Sequence, residues 1–113
     1  MLKTDKTILK SIKNPYARNY TIKHYVPEIT FEGSDKKPDF GELRIEFVPN
    51  EYLIELKSLK YYFYQFRGKR CSYERFINVV FDDIDEIYDP IELKITFKTR
   101  PRGGISSYLE IEK

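Results

Sequence analysis

Two segments of the chain alternate strictly between apolar and polar residues, and this alternation constrains the fold more than any other feature of the sequence. Residues 42–48 and 91–98 each carry an apolar side chain at every second position. Because successive side chains of a strand point to opposite faces, both segments predict strands with one buried and one polar face. The predicted buried side chains are Leu43, Ile45, Phe47, Ile91, Leu93, Ile95 and Phe97.

Two further strands and two helices complete the predicted secondary structure. Residues 25–32 and 105–112 predict strands, the second entered through a glycine-rich turn. Between the second and third strands, apolar residues recur at helical spacing over residues 52–67 and 73–88, and Pro90 ends the second helix. The strand over 25–32 is predicted to bury Tyr25, Ile29 and Phe31.

The order of these elements predicts an α+β fold. Strand, strand, helix, helix, strand, strand forms a four-stranded antiparallel sheet with both helices on one face. The other face of the sheet is rich in charge, and its regular edge strands invite pairing with another subunit. A ring of subunits that closes a larger barrel with a polar interior explains both features, and a single sheet with one solvated face explains them equally well.

Composition indicates one globular domain over residues 16–113, preceded by a flexible, lysine-rich arm over residues 1–15. The net charge of +2, from 20 basic and 18 acidic residues, argues against direct nucleic-acid binding. The chain has one cysteine, Cys71, and one histidine, so we expect no disulfide and no His/Cys metal cluster. It has no apolar run long enough to span a membrane, which predicts a cytoplasmic protein.

A glutamate on the first predicted helix stands out. Plotted at helical spacing, Glu55 lies in the middle of the apolar arc, where a charge is costly unless it is paired. Lys57 and Lys60 belong to a basic stripe beside it. These residues favour either an ordinary solvated helix surface or a carboxylate for a polar ligand next to a cationic cradle for phosphates.

Four more residues have both a structural and a functional interpretation. Glu74 is either a partner of the helix dipole or a bidentate acceptor for a purine-like base. Asp39 is either a turn residue or a proton donor at a strand entrance. Arg102 is either part of a plain hairpin turn or a phosphate contact beside two glycines. Cys71 has cationic neighbours but no candidate base nearby in sequence, and an incidental role is favoured.

Three motifs in order resemble those of the 7-cyano-7-deazaguanine reductases of the QueF type. The most specific is Glu55-Leu56-Lys57-Ser58-Leu59-Lys60-Tyr61-Tyr62, which is similar to the family's signature for binding a nicotinamide cofactor. Pro38-Asp39-Phe40-Gly41 and Pro101-Arg102-Gly103-Gly104 fit two further landmarks. The resemblance extends over roughly residues 16–105, most of the chain.

The resemblance implies a tunnelling fold whose subunits close into a ring, a pentamer or a decamer, with sites between subunits. It implies reduction of a 7-deazaguanine nitrile to the aminomethyl compound in queuosine biosynthesis, a tRNA modification, with NADPH and without a metal. By the same resemblance, the deazapurine is held by Glu55 and Glu74, the backbone around Ile54 and Leu56, and Tyr73 at the position of a family histidine. The cofactor phosphates are held by Lys57, Lys60 and Arg102, and Asp39 protonates the intermediate.

The chain departs from the family pattern at the nucleophile. The family's cysteine adds to the nitrile and makes a covalent thioimide. It lies seven residues before the aspartate, and here that position is Glu32. Cys71 precedes Glu74 by three residues and is expected on the opposite side of the catalytic loop. The alternatives are therefore a reductase with an altered mechanism, a deazapurine-binding protein without thiol chemistry, or another tunnelling-fold reaction such as amidine transfer or a pterin conversion.

Overall fold

A four-stranded antiparallel sheet is the centre of the molecule, in the order β2 (Ile22–Glu32), β3 (Pro38–Val48), β5 (Glu92–Thr99) and β6 (Tyr108–Glu112). The structure is a computed structural model and describes residues 2–113; Met1, the first residue of the predicted arm, lies outside them. Two short strands, β1 and β4, pair in a second sheet. The elements are β1 Ser11–Lys13, β2 Ile22–Glu32, β3 Pro38–Val48, β4 Tyr52–Ile54, α1 Leu56–Tyr64, α2 Tyr73–Tyr88, β5 Glu92–Thr99 and β6 Tyr108–Glu112, with 3₁₀ turns at Lys6–Ile8 and Gln65–Gly68.

The core lies between one face of the main sheet and the two helices. Alternate residues of β3 and β5 point into it, as the sequence pattern predicts, and the opposite face is polar. Aromatic rings join the layers: Phe31 stacks on Phe76 with centroids 4.8 Å apart, and Phe66 meets Phe76 edge to face at 4.9 Å. Burial of this many large apolar side chains supplies most of the free energy that favours folding.

A register shift in β2 reverses part of its predicted facing. The pairing with β3 is irregular between Val26 and Ile29, so one residue too many separates the two halves of the strand. Because side chains alternate with a period of two, this bulge moves Tyr25 to the polar face, where its hydroxyl donates to Glu42 at 2.7 Å. The predicted burial of Tyr25 is therefore wrong, whereas Ile29 and Phe31 are buried.

Two residues that were predicted to belong to strands lie outside them. Ile91 is half-exposed and precedes β5, which begins at Glu92. Ile105 lies in the turn before β6 and is 70% exposed. The prediction for both residues is wrong because the turns after Pro90 and around Gly103 extend further than the apolar pattern indicates.

The first helix begins four residues later than predicted. Residues 52–54 are extended and pair with β1, and α1 starts at Leu56. Glu55 is the N-cap, and its carboxylate accepts hydrogen bonds from the backbone N–H groups of Lys57 and of Ser58, the latter at 3.3 Å. The predicted position of Glu55 inside the apolar arc is therefore wrong, because the residue satisfies the helix terminus instead of facing the core.

The second helix has the predicted bounds. The Ser72 hydroxyl accepts from the backbone N–H of Arg75 at 3.1 Å and caps the N-terminus. Asp89 adopts a left-handed conformation with φ of 44° at the C-terminus, and Pro90 follows. These caps fix the first turn of α2, which carries Tyr73 and Glu74.

The N-terminal segment contacts both helices. Leu9 is buried in the core, and the Tyr88 hydroxyl donates to the Lys10 carbonyl at 2.8 Å. Thr4 donates to Asp83 at 2.7 Å. The flexibility predicted for residues 1–15 stays a prediction. Among residues 2–113, neither helix has the length and apolar character needed to cross a lipid bilayer.

Candidate functional site

A cavity of about 390 Å³ lies where the β2–β3 loop meets the N-terminus of α2 and the turn after β5. We call it the Asp39 cavity. Its lining brings together residues that are far apart in the sequence. They include Asp35, Asp39, Cys71, Tyr73, Glu74 and Arg102.

Asp39 is held rigidly at this cavity. Its side chain is buried, and Oδ1 accepts hydrogen bonds from Arg102 Nη1 at 2.7 Å and from the Tyr73 hydroxyl at 3.0 Å. Oδ2 accepts no hydrogen bond from the described residues. A buried carboxylate with one oxygen fixed and the other free is suited to receive or deliver a proton.

Arg102 joins two carboxylates. Its second nitrogen, Nη2, pairs with Asp35. Hydrogen bonds to Asp35 and Asp39 hold the pKa of Arg102 well above its ordinary value, and the same guanidinium lowers the pKa of Asp35. Burial, followed by the hydrogen bond to Asp39, raises the pKa of Tyr73. All three effects favour the present protonation state of the cluster at neutral pH.

Gly33 allows the loop to approach Asp39 closely. A Cβ at this position would lie 2.2 Å from Asp39 Oδ2 and 3.2 Å from Arg102 Nη1. No side chain fits there without moving the carboxylate. Nothing in the residue pattern indicates this constraint, because the contact depends on the fold of the loop.

Glu32, at the position of the family nucleophile, has another environment. Its carboxylate pairs with Arg70 at 3.4 Å, and its backbone N–H and C=O both bond to the segment 69–71 in a parallel bridge. Glu32 is absent from the lining of the Asp39 cavity. The structure therefore gives this carboxylate an ion-pairing role at the rim of the loop.

Cys71 lies beside the end of β2, where the β2–β3 loop begins. Its backbone N–H donates to the Glu32 carbonyl at 2.9 Å, and its buried side chain lines the Asp39 cavity. The side of the loop on which it was expected stays a prediction: the bridge pairs Glu32 with Arg70, one residue before Cys71, and Cys71 lines the Asp39 cavity whereas Glu32 does not. Burial and then the charge of Asp39 raise the pKa of the thiol to about 11.

The site residues predicted on the first helix do not line the Asp39 cavity. Lys60 and Leu56 line a second cavity of about 340 Å³, together with His24 and Arg67. Burial lowers the pKa of His24. We call this the α1 cavity.

Glu55 and Lys57 are absent from the lining of both cavities. Lys57 is exposed, and Ile54 is buried in the core, so only its backbone is available to a ligand. Within one chain, the structure therefore brings Asp39, Tyr73, Glu74 and Arg102 together and keeps Glu55, Lys57 and Lys60 outside the Asp39 cavity. Among residues 2–113, no three His, Cys, Asp or Glu side chains are grouped so that they could hold a metal ion.

The chain was compared with known proteins. The family model for "QueF-like protein" matches residues 38–113. The NADPH-dependent 7-cyano-7-deazaguanine reductase of Chlorobium chlorochromatii is 40% identical, over 92% of this chain and 91% of that protein. The enzyme of the same name from Chlorobium phaeovibrioides is 41% identical over 89% of each chain.

A solved structure has a fold similar to that of this chain. The archaeosine synthase QueF-Like, in its apo form, superposes with a TM-score of 0.71 over 83% of this chain and 91% of that one. At 17% identity this likeness speaks for the fold alone. The extent of the family match and the identity to the Chlorobium reductases establish the assignment: the chain belongs to the QueF-like family.

Proposed function

We propose that the protein reduces 7-cyano-7-deazaguanine to 7-aminomethyl-7-deazaguanine with NADPH, in the cytoplasm, as a step of queuosine biosynthesis. One observation carries the proposal: the Asp39 cavity combines a buried proton-transfer group with an acidic residue that suits a purine-like base. The names of the relatives supply the reaction. The chemistry of the cavity is compatible with it.

Glu74 is the proposed anchor of the heterocycle inside the cavity. It is exposed in the first turn of α2 and accepts no hydrogen bond from another described side chain. A free carboxylate accepts two parallel N–H donors, such as those of an aminopyrimidinone edge. Tyr73, next to it, occupies the position at which the family resemblance implies a histidine, and its hydroxyl holds Asp39.

NADPH would supply hydride to the carbon of the nitrile. Lys57 and Lys60 are exposed and free to contact its phosphates, which supports their proposed role. Arg102 donates one N–H of Nη1 to Asp39 and one of Nη2 to Asp35, so its other N–H groups remain for a phosphate. We therefore propose that Arg102 chiefly orients Asp39 and contacts the cofactor in the loaded site.

A complete site requires a second copy of the chain. Glu55 and Glu74, both proposed to hold the deazapurine, share no cavity within one subunit. The main sheet ends in β2 and β6, and both have an outer edge that pairs with no long strand of the described chain. We propose that subunits join through these edges into a ring, a pentamer or a decamer, and that each site lies between neighbours.

The test is to incubate the purified protein with 7-cyano-7-deazaguanine and NADPH. We expect NADPH oxidation and formation of the aminomethyl product, identified by mass spectrometry. Glu74→Gln keeps the size of the side chain but loses the charge, and should weaken nitrile binding by roughly tenfold or more. Calorimetric binding of the nitrile without any turnover would favour the alternative, a deazapurine-binding protein, which the Glu32–Arg70 pair at the nucleophile position supports.

A further inference from the structure

The N-terminal segment reaches one of the residues that the proposed function assigns to the heterocycle. β1 pairs antiparallel with β4, so that Ser11 lies opposite Ile54. One residue earlier, the Lys10 carbonyl accepts a hydrogen bond from the Glu55 N–H at 3.1 Å. The segment therefore supports the backbone of Glu55 at the point where β4 ends and α1 begins.

The Ser58 hydroxyl joins Lys10 and Glu55 a second time. Ser58 lies in the first turn of α1 and is 5% exposed. Its Oγ accepts from the Lys10 N–H at 2.9 Å and donates to the Glu55 carbonyl at 2.7 Å. Both backbone groups of Lys10 and both of Glu55 are thus hydrogen-bonded in one small ring. A buried hydroxyl that both donates and accepts holds its partners in one arrangement.

The carboxylate of Glu55 keeps one free oxygen. Oε2 accepts from the backbone N–H groups of Lys57 and Ser58, whereas Oε1 accepts no hydrogen bond from the described residues. Because Oε2 is tied to the helix terminus, the place of Oε1 depends on the position of the Glu55 backbone relative to α1. A small movement of this backbone would displace the free oxygen from a bound ligand.

We propose that Ser58 is a positioning residue for Glu55, and that the backbone of Lys10 is the support against which it works. Through these bonds Ser58 keeps Oε1 where an N–H group of the deazapurine binds. This inference rests on the proposed function, in which Glu55 holds the heterocycle. Ser58 itself is buried and absent from the lining of the Asp39 and α1 cavities, so it acts on the ligand through Glu55.

Tyr88, the last residue of α2, also fixes the N-terminal segment. It is 1% exposed, and its hydroxyl donates to the Lys10 carbonyl at 2.8 Å. Burial raises the pKa of Tyr88 to about 12, so the hydroxyl stays protonated and remains a donor at neutral pH. Lys10 is thereby held by both helices, and a support of this kind limits how far Glu55 can move.

Ser58→Ala is the first test. Alanine favours a helix more than serine does, so α1 should stay folded. We expect the affinity for 7-cyano-7-deazaguanine, measured by calorimetry, to fall roughly tenfold, and KM for the nitrile to rise with it while kcat changes by less than about twofold. Binding of NADPH should also change by less than about twofold, because Lys57 and Lys60 keep their places on α1. Equal losses for both ligands would mean that the whole helix is disturbed, and would overturn the inference.

Thr4→Val is the matched control. Thr4 belongs to the same N-terminal segment, and its hydroxyl donates to Asp83 at 2.7 Å, a hydrogen bond that involves neither Glu55 nor Ser58. The variant should lose a similar amount of stability in a denaturant titration but keep its nitrile affinity within about twofold. If Thr4→Val weakens nitrile binding as much as Ser58→Ala does, the effect belongs to the stability of the segment and not to Ser58.

A double variant shows whether Ser58 acts through Glu55. Once Glu55→Ala has removed the carboxylate, adding Ser58→Ala should weaken nitrile binding by no more than about twofold, and a further loss of roughly tenfold would contradict the inference. Unchanged nitrile affinity in Ser58→Ala, beside an unaltered protein that binds and reduces the nitrile, contradicts this inference alone. Failure of the unaltered protein to bind the nitrile contradicts the proposed function as well.

Discussion

The site depends on how a few side chains constrain one carboxylate. Asp39 is fixed by Arg102 and Tyr73 on one oxygen, and the loop backbone at Gly33 approaches the other. This arrangement leaves little room for the carboxylate to turn away from the cavity. A single methyl group added next to the carboxylate should therefore lower both stability and activity.

Gly33→Ala tests this constraint. The new Cβ would lie 2.2 Å from Asp39 Oδ2, so the carboxylate has to shift and its hydrogen bonds to Arg102 and Tyr73 are disturbed. We expect the free energy of unfolding to fall by about 1–3 kcal/mol and nitrile reduction to fall with it. Denaturant titration and the NADPH assay measure the two effects.

Gly68→Ala is the matched control. A Cβ at Gly68 meets no atom within 4 Å, so this variant should stay within about 0.5 kcal/mol of the unaltered protein and keep its activity. Equal behaviour of the two alanine variants would show that the loop does not constrain Asp39.

The sequence predicted the identity of the residues around Asp39 better than their contacts. Asp39, Glu74 and Arg102 were found through motifs, and the fold brings them to one cavity. Asp35 was missed because its contact with Arg102 joins residues 67 positions apart, and the proximity of Cys71 was missed because it depends on the backbone bridge between Glu32 and Arg70. Neither contact leaves a periodic signal in the sequence.

At the scale of the elements, α1 differs most from its prediction. The apolar pattern continues from Tyr52 through β4 into the helix, so it does not mark the boundary. Serine, threonine, aspartate and asparagine are the usual N-caps, and glutamate is not among them. The alternating strands and α2 were predicted well because their periods are uninterrupted and Pro90 marks a clear end.

Variants of Glu55 separate its role as a cap from its proposed role in binding. Glu55→Ala removes the acceptor of two N–H groups and should lower the free energy of unfolding by about 1 kcal/mol. Glu55→Asp keeps a carboxylate that caps well, so stability should be retained. Its shorter side chain should weaken nitrile binding by roughly tenfold, measured by calorimetry. Unchanged binding in Glu55→Asp would limit Glu55 to a structural role.

At the scale of the whole molecule, the outer edge of β6 offers a test of assembly. The Thr99 N–H donates to the Ser107 carbonyl, and the Lys113 N–H donates to the Leu93 carbonyl. The backbone N–H and C=O groups of the odd-numbered residues of β6 therefore point toward β5. The backbone groups of the even-numbered residues, including Glu110, therefore point away from the sheet. They are available to a strand of another subunit.

Glu110→Pro removes one of these outward N–H groups without breaking the ladder to β5. We expect the proposed ring to dissociate to smaller species in light scattering, with loss of turnover because the site is proposed to lie between subunits. Glu110→Ala removes the same side chain but keeps the N–H, and should assemble normally. A monomeric unaltered protein, or a ring that persists in Glu110→Pro, would exclude this edge as the interface.

The bridge between Glu32 and the segment 69–71 also attaches the connection between the helices to the end of β2. The Glu32 N–H donates to the Lys69 carbonyl at 2.8 Å, and the Cys71 N–H donates to the Glu32 carbonyl at 2.9 Å. Because both bonds are made by backbone groups, they do not depend on which side chain occupies position 32. This position can therefore change its chemistry while the loop keeps its anchorage.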